Sequence, residues 1–192
     1  MELDLEIAEA YIYTKLPEKY YIRSLDAANL MTMVANKYDL RPDQAKLAGL
    51  LHLVSRQMDN RTMIHYLGTR ENKLMRRLPP EYKRTAYLTG PASAWFALEH
   101  LDQRSEDVFR GIREHTFLFK HPSPLGKCLF VATVLTRIER DDPRVAVLMR
   151  DFLSGKIDQV LTTLNRREIC SLEKTDVRRL ARITNPDMGD IS

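Results

Sequence analysis

The segment at residues 45–53 constrains the fold more strongly than any other part of the chain. Its small residues, Ala45, Ala48 and Gly49, would let a neighbouring helix approach closely, and its leucines recur at helical spacing on one face. This pattern predicts a helix that is buried among other helices. The apolar run ends on His52, which either packs in that core with its hydrogen bonds satisfied or points into a pocket and binds a ligand.

Helical patterns also dominate the rest of the chain. The Asp-Pro pair at residues 142–143 is the firmest helix-start signal, Gly68 would end one helix, and the Gly-Pro pair at residues 90–91 would open another. No alternating strand pattern, hairpin turn or internal repeat is present. The sequence therefore predicts an all-α fold, with helices at residues 2–16, 19–38, 42–58, 61–67, 71–77, 90–101, 105–115, 125–139, 143–155, 157–164 and 176–183.

Composition narrows the class of protein further. The chain has 192 residues and a hydrophobic share of 44%, which suits one domain with a core. No apolar run approaches the roughly 20 residues of a membrane helix, and the acidic N-terminus is unlike a secretory signal. A net charge of +4 permits anionic ligands, but no lysine-rich tail or aromatic-basic motif favours nucleic acid. We expect a cytoplasmic protein without membrane or nucleic-acid partners, and with Cys128 and Cys170 as buried free thiols.

Five short blocks of sequence together resemble a known family. They read Lys-Tyr-Tyr-Ile-Arg-Ser-Leu at residues 19–25, Ala-Gly-Leu-Leu-His-Leu at 48–53, Thr-Gly-Pro at 89–91, Ile-Arg-Glu-His-Thr at 112–116 and Phe-Val-Ala-Thr at 130–133. Their order and spacing resemble the HD-domain phosphohydrolases of the YqeK type, which hydrolyse diadenosine tetraphosphate symmetrically to ADP. The resemblance implies an HD-domain-like helical bundle over residues 19–175, an N-terminal extension at 1–18, and a C-terminal helix and tail at 176–192.

The resemblance also implies a pair of metal ions, but most of the family's six ligand positions have changed in this chain. Two divalent ions need several imidazoles and carboxylates as ligands, and a permanently charged guanidinium would repel an ion by several kcal/mol at an effective dielectric constant of about 20. We therefore expect no catalytic residues, no metal pair and no other cofactor. The retained ligands are His52 and His115; the changed positions are Arg23, Leu53, Thr89 and Thr133.

Basic residues at matching positions suggest what such a cavity would bind instead. Arg23, Arg56 and Arg113 would share it and hold phosphate oxygens by forked hydrogen bonds. The first interpretation is a catalytically degenerate HD-domain protein, a regulator or scaffold that binds a nucleotide, another phosphorylated small molecule or a protein partner. The cavity residues in this interpretation are Arg23, His52, Arg56, Thr89, Arg113, His115 and Thr133.

Two other interpretations stay open, as does a homodimer. One is an active nucleotide phosphohydrolase with a rearranged metal site, in which iron, manganese or zinc is held by His52 and His115 together with Asp26 or His121. The other is a purely structural helical protein whose pocket is filled by Arg23 and a counter-ion such as Asp26 or Glu114.

The remaining notable side chains are assigned structural roles. The histidines outside the motifs are expected on exposed helix faces, the large aromatic residues in the core, and the paired arginines in solvent. In that order, these residues are His65 and His100; Trp95, Phe117, Phe119 and Phe130; and Arg76, Arg77, Arg166 and Arg167.

Overall fold

A computed structural model describes residues 3–116, 122–138 and 143–165 of the chain. Within these ranges the protein is helical and contains no strand, so the predicted all-α class is confirmed. The α-helices, in chain order, are α1 (Leu5–Lys15), α2 (Glu18–Val34), α3 (Pro42–Leu51), α4 (Asn60–Arg70), α5 (Asn72–Arg77), α6 (Thr85–His100), α7 (Glu106–Glu114), α8 (Pro124–Leu135), α9 (Pro143–Leu153) and α10 (Ile157–Asn165).

Local sequence signals account for several helix starts. Pro42 occupies the first turn of α3, where its missing N–H would have had no helical partner in any case. The hydroxyl of Ser105 accepts a hydrogen bond from the backbone N–H of Val108 and caps α7, as predicted. Ser123, the residue before Pro124, caps α8 in the same way by accepting a hydrogen bond from the N–H of Gly126. These caps fix where the helices that carry the site begin.

Three predicted boundaries were wrong. The central helix ends at Leu51 instead of continuing to residue 58, because the chain turns at His52 into a short 3-10 helix, Val54–Gln57. Helix α4 continues through Gly68 to its end at Arg70. Helix α6 begins at Thr85, so Pro91 lies inside it and not at its start.

Pro91 is tolerated inside α6 because another residue replaces the hydrogen bond that proline cannot make. The carbonyl of Tyr87, one turn before Pro91, accepts a hydrogen bond of 2.7 Å from the hydroxyl of Thr116. The same hydroxyl accepts a bond of 3.2 Å from the N–H of Gly90. A Cβ atom at Gly90 would lie 2.9 Å from the carbonyl oxygen of Ile112, so only glycine lets the end of α7 approach this closely. The break in α6 thereby anchors the end of α7.

The closest helix packing lies between α2 and α3. A Cβ atom at Gly49 would lie 2.6 Å from the backbone nitrogen of Ala28 and 3.0 Å from the carbonyl carbon of Ala27. The predicted close approach of a neighbouring helix at residues 45–53 is therefore confirmed. Its consequence is that the end of α3, with His52, lies beside the first half of α2, which carries Arg23.

Two clusters of buried apolar side chains hold the helices together. The larger one joins α1, α2, α3 and α6–α10, and it includes Ala8 and Ile12 of α1. The smaller one joins α4, α5 and α6 around Met63 and Leu67. Helix α1 therefore packs in the same core as the rest of the bundle, although the proposed domain boundary at residue 18 stays a prediction. Residues 176–192 lie outside the described ranges.

Two expectations from composition concern membrane-spanning helices and the cysteines. None of the described helices combines the length and apolar character needed to span a lipid bilayer. Cys128 is a buried free thiol, as expected, and burial raises its pKa to about 12. Cys170 lies outside the described ranges.

Candidate functional site

A cavity of about 250 Å³ lies where α2, the end of α3, α6, the end of α7 and α8 meet. Six of the seven residues predicted for the site line it: Arg23, His52, Arg56, Thr89, His115 and Thr133. The sequence blocks that carried the resemblance therefore converge on one place, although they are up to 110 positions apart in the chain.

Arg113 is the exception, and its predicted place in the cavity was wrong. It lies two residues before His115, and two residues on a helix correspond to a rotation of about 200°, so both side chains cannot face the cavity. Arg113 instead forms a forked ion pair with Glu71, with Nε and Nη2 lying 2.6 and 3.0 Å from the two carboxylate oxygens. The same carboxylate accepts a bond of 3.1 Å from the indole of Trp95.

The two histidines occupy equivalent positions at the ends of α3 and α7. Nδ1 of His52 lies 2.7 Å from the carbonyl oxygen of Gly49, and Nδ1 of His115 lies 2.6 Å from that of Ile112. A carbonyl oxygen only accepts hydrogen bonds, so each Nδ1 carries a proton. A neutral ring in this tautomer keeps Nε2 as an acceptor. Both rings are nearly buried, with 3% and 2% exposure, and they meet edge to face with centroids 5.2 Å apart.

His52 is neutral at physiological pH. Burial lowers its pKa to about 4, and the positive charges of Arg137 and Arg23 act in the same direction. The hydrogen bond to the carbonyl of Gly49 opposes this shift but is the weaker influence. The ring therefore presents a hydrogen-bond acceptor in a positively charged environment.

Among the described residues, four cationic side chains line the cavity: Lys19, Arg23, Arg56 and Arg137. Arg56 donates a hydrogen bond to the hydroxyl of Tyr20 and lies 4.5 Å from the centre of that ring. The Nε of Arg137 donates to the carbonyl of Thr133 at 2.8 Å. Arg23, which is half-buried, has no hydrogen bond or ion pair with any residue in the described ranges.

No carboxylate of the described residues lines this cavity. Asp26, one turn after Arg23, is not among the residues that line the cavity. The carboxylate of Glu114 accepts hydrogen bonds of 2.6 Å from both the backbone N–H and the hydroxyl of Ser123, and it lies 3.6 Å from Arg110. Neither acid serves as the counter-ion that the purely structural interpretation assigned to Arg23.

Sequence reasoning missed several residues of the site, of which Lys19, Tyr20, Thr136 and Arg137 matter most. A usable signal was present for two of them. Lys19 precedes Arg23 by four residues and Arg137 follows Thr133 by four, and residues four apart share one face of a helix. A search one helical turn before Arg23 and one turn after Thr133 would have found both cations.

The donor set does not fit a pair of metal ions. The described residues contain no group of three or more His, Cys, Asp and Glu side chains arranged to hold one ion. The cavity offers two imidazoles among four cations, whereas divalent ions need anionic ligands to balance their charge. His121, the other residue considered as a ligand, lies outside the described ranges. The described residues therefore do not supply the ligands of a metal pair.

The remaining side chains were placed as follows. His65 is exposed on α4 and His100 at the end of α6, as predicted. Phe130 is fully buried, and Trp95 packs against the smaller core cluster. Arg76 and Arg77 are exposed. The other residues of that group, Phe117, Phe119, Arg166 and Arg167, lie outside the described ranges.

Comparison with known proteins gives one informative result. No family model matches the chain, and no curated protein matches it. Among solved structures, the chain is similar to a predicted HD superfamily hydrolase involved in NAD metabolism from Clostridium acetobutylicum. The TM-score is 0.77 at 20% identity, over 97% of this chain and 100% of that one. The likeness shows that the chain has this helical fold and confirms the predicted HD-type architecture.

Proposed function

We propose that the cavity binds a small phosphorylated ligand through its cationic side chains and works without a pair of metal ions. In this proposal the chain is a degenerate relative of the YqeK-type phosphohydrolases that acts as a regulator or scaffold. The observation that carries the proposal is the composition of the cavity wall, which contains four cations and no carboxylate among the described residues.

The charge balance supports an anionic ligand. The carboxyl ends of α3 and α7 face the cavity, and each contributes a partial charge of about −0.5, about one negative charge in total. The full positive charges of Lys19, Arg23 and Arg56 outweigh that contribution. Arg23 is half-buried and has no partner among the described residues, and such a guanidinium is costly to desolvate and gains from charge-assisted bonds to a phosphate.

The size of the cavity limits what enters it. Ligand pockets usually span about 300–1,000 Å³, and this one is slightly smaller at about 250 Å³. It suits a phosphate or diphosphate group better than a whole dinucleotide. A nucleotide would therefore place its terminal phosphates inside and its base at the opening.

One feature favours the rival hypothesis of an active phosphohydrolase with a single metal ion. A histidine that ligates a metal commonly donates its other ring N–H to a carbonyl, as both cavity histidines do here. Metal analysis of protein purified without chelators tests this rival. Stoichiometric iron, manganese or zinc that is lost in a His52→Ala/His115→Ala double variant would overturn the proposal in favour of the phosphohydrolase.

Calorimetric titration tests ligand binding. The ligands are inorganic phosphate, ADP, diadenosine tetraphosphate and guanosine diphosphate. We expect at least one to bind the wild type, with affinity about tenfold or more lower in Arg23→Ala, because a charge-assisted hydrogen bond contributes about 1.5–3 kcal/mol. Arg61→Ala is the matched control, since Arg61 is an exposed cation on α4 outside the cavity. Flat titrations with all four ligands would favour the purely structural interpretation.

A further inference from the structure

We infer that the cavity selects ligands that combine a phosphate dianion with an O–H donor, in preference to dianions of the same shape that carry no donor. The inference rests on the proposed anion binding and adds a specificity to it. The donor can be part of the phosphate group, as in monohydrogen phosphate, or a hydroxyl on a neighbouring carbon of a phosphate ester.

The first observation is the fixed orientation of the His52 ring. Its Nδ1–H is held by the carbonyl of Gly49 at 2.7 Å, which leaves Nε2 as a lone-pair acceptor. His52 lines the cavity and makes no other hydrogen bond with the described residues. A ligand in the cavity therefore meets a neutral ring whose N–H is already occupied and whose Nε2 offers a lone pair.

The second observation concerns the threonines of the wall, each of which donates its hydroxyl proton to a backbone carbonyl. Thr89 donates to Thr85 at 2.5 Å and Thr133 donates to Phe130 at 2.8 Å. Thr136 donates to Ala132, also at 2.8 Å. Thr116 donates to Tyr87 in the same manner. The hydroxyl oxygens keep only lone pairs for the cavity, so the neutral part of the wall accepts hydrogen bonds while the cations donate them.

These two halves of the wall make opposite demands on a ligand. The guanidinium and ammonium groups bind anionic oxygens, which have lone pairs only. A ligand oxygen without a proton would face the lone pair of His52 Nε2 or of a threonine hydroxyl with a lone pair of its own. That acceptor of the cavity wall would then stay buried without a hydrogen bond. Monohydrogen phosphate meets both demands with one ion, because it carries two negative charges and one hydroxyl proton.

The test compares two pairs of ligands by calorimetry at pH 8, where the phosphate esters are dianions. Monohydrogen phosphate is paired with fluorophosphate, and glycerol 3-phosphate with methyl phosphate, so that each pair differs in its O–H donors. We expect the donor-bearing member to bind about tenfold or more tightly in at least one pair. The pair that discriminates shows whether the donor lies on the phosphate or on the adjoining carbon chain.

Variants locate the discrimination at His52. We expect His52→Phe to lose the preference for the donor-bearing ligand, so that the ratio of the two affinities within a pair falls toward one. His65→Phe, on an exposed face of α4, should keep the preference. Thr133→Val removes a second acceptor at nearly constant shape and serves where His52→Phe does not fold.

Two outcomes would overturn the inference, and they are distinguishable. Equal affinities within both pairs would contradict the selection for a donor while leaving the anion site intact. No binding of any of the four ligands would contradict the proposed function itself.

Discussion

Arg23 in the cavity and Arg113 beside Glu71 were predicted by the same reasoning, yet the structure places them in opposite environments. Arg113 lies in a neutralised cluster, where Glu71 forms a forked ion pair with it and also accepts a hydrogen bond from Trp95. Arg23 lies among three other cations, and no described carboxylate reaches it.

The difference shows how a functional cation can be told from a structural one. A guanidinium that is satisfied by its own protein gains little from a ligand, because binding would first require breaking the pair. A guanidinium without a counter-ion keeps its donors available and gains from any anion that enters. The predictions below test this contrast between the cavity and the Glu71 cluster, and they run from the largest expected effect to the smallest.

The largest effect is expected on the pH dependence of stability. The pKa of His52 is about 4 when folded and 6.5 in a model peptide, so the unfolded chain binds a proton between these values and the folded chain does not. The free energy of unfolding therefore falls as pH drops from 6.5 to 4, by about 3 kcal/mol from this residue. Denaturant titrations should show a smaller fall for His52→Gln than for the wild type.

A matched variant isolates the cavity in that experiment. His100→Gln changes an exposed histidine at the end of α6, next to Glu99. Its pH profile should follow the wild type. Parallel profiles for all three proteins would mean that the cavity does not hold His52 neutral.

The second prediction concerns ligand affinity. Arg23→Glu should lower the affinity for inorganic phosphate about hundredfold, because one charge-assisted donor is lost and one repulsive charge is gained. Its thermal midpoint should not fall, since the new carboxylate relieves repulsion among the remaining cations. Arg113→Gln should change the phosphate affinity less than about twofold, and an equal loss in both variants would erase the contrast.

The third prediction concerns the neutralised cluster. Glu71→Ala should lower the free energy of unfolding by about 2 kcal/mol, because it leaves the largely buried guanidinium of Arg113 and the indole N–H of Trp95 without this acceptor. The phosphate affinity should stay within about twofold of the wild type. Chemical denaturation and calorimetry measure the two quantities, and a marked loss of affinity would show that the regions are coupled.

The fourth prediction compares two helical glycines, one at the contact of α3 with α2 and one on α4. Gly49→Ala should destabilise the protein by about 1–2 kcal/mol, because the new Cβ atom would press against the backbone of α2 at Ala28. Gly68→Ala, on α4, meets nothing within 4 Å and should stabilise the protein by about 0.5–1 kcal/mol. Thermal unfolding of both variants gives the signs, and destabilisation by Gly68→Ala would contradict the packing.

Periodicity and capping residues were sufficient for most of the fold. The apolar spacing of α2 and α3 predicted buried helices, and Ser105 and Pro42 marked real helix starts. One of the errors arose where a distant residue compensated for a local signal. Pro91 reads as a helix start until Thr116, 25 positions later in the sequence, is seen to satisfy the carbonyl that the proline leaves free.

The candidate site was predicted less completely than the fold. Six residues were found because the family resemblance marked their positions. Lys19 opens the first block without being one of its ligand positions, and Arg137 follows the last block by four residues, so both cations were missed. Arg113 was wrongly placed in the cavity because it is close to His115 in sequence. Two residues on a helix point in nearly opposite directions, and the prediction did not take this rotation into account.

The sequence by itself determined that this chain is helical and that a neighbouring helix approaches closely at residues 45–53. Only the tertiary structure decided which charges share a cavity and which are neutralised, since Arg113 and Glu71 are 42 positions apart. Helical periodicity is a local property of the backbone, whereas the state of a charge depends on every group within a few ångströms, from whatever part of the chain it comes.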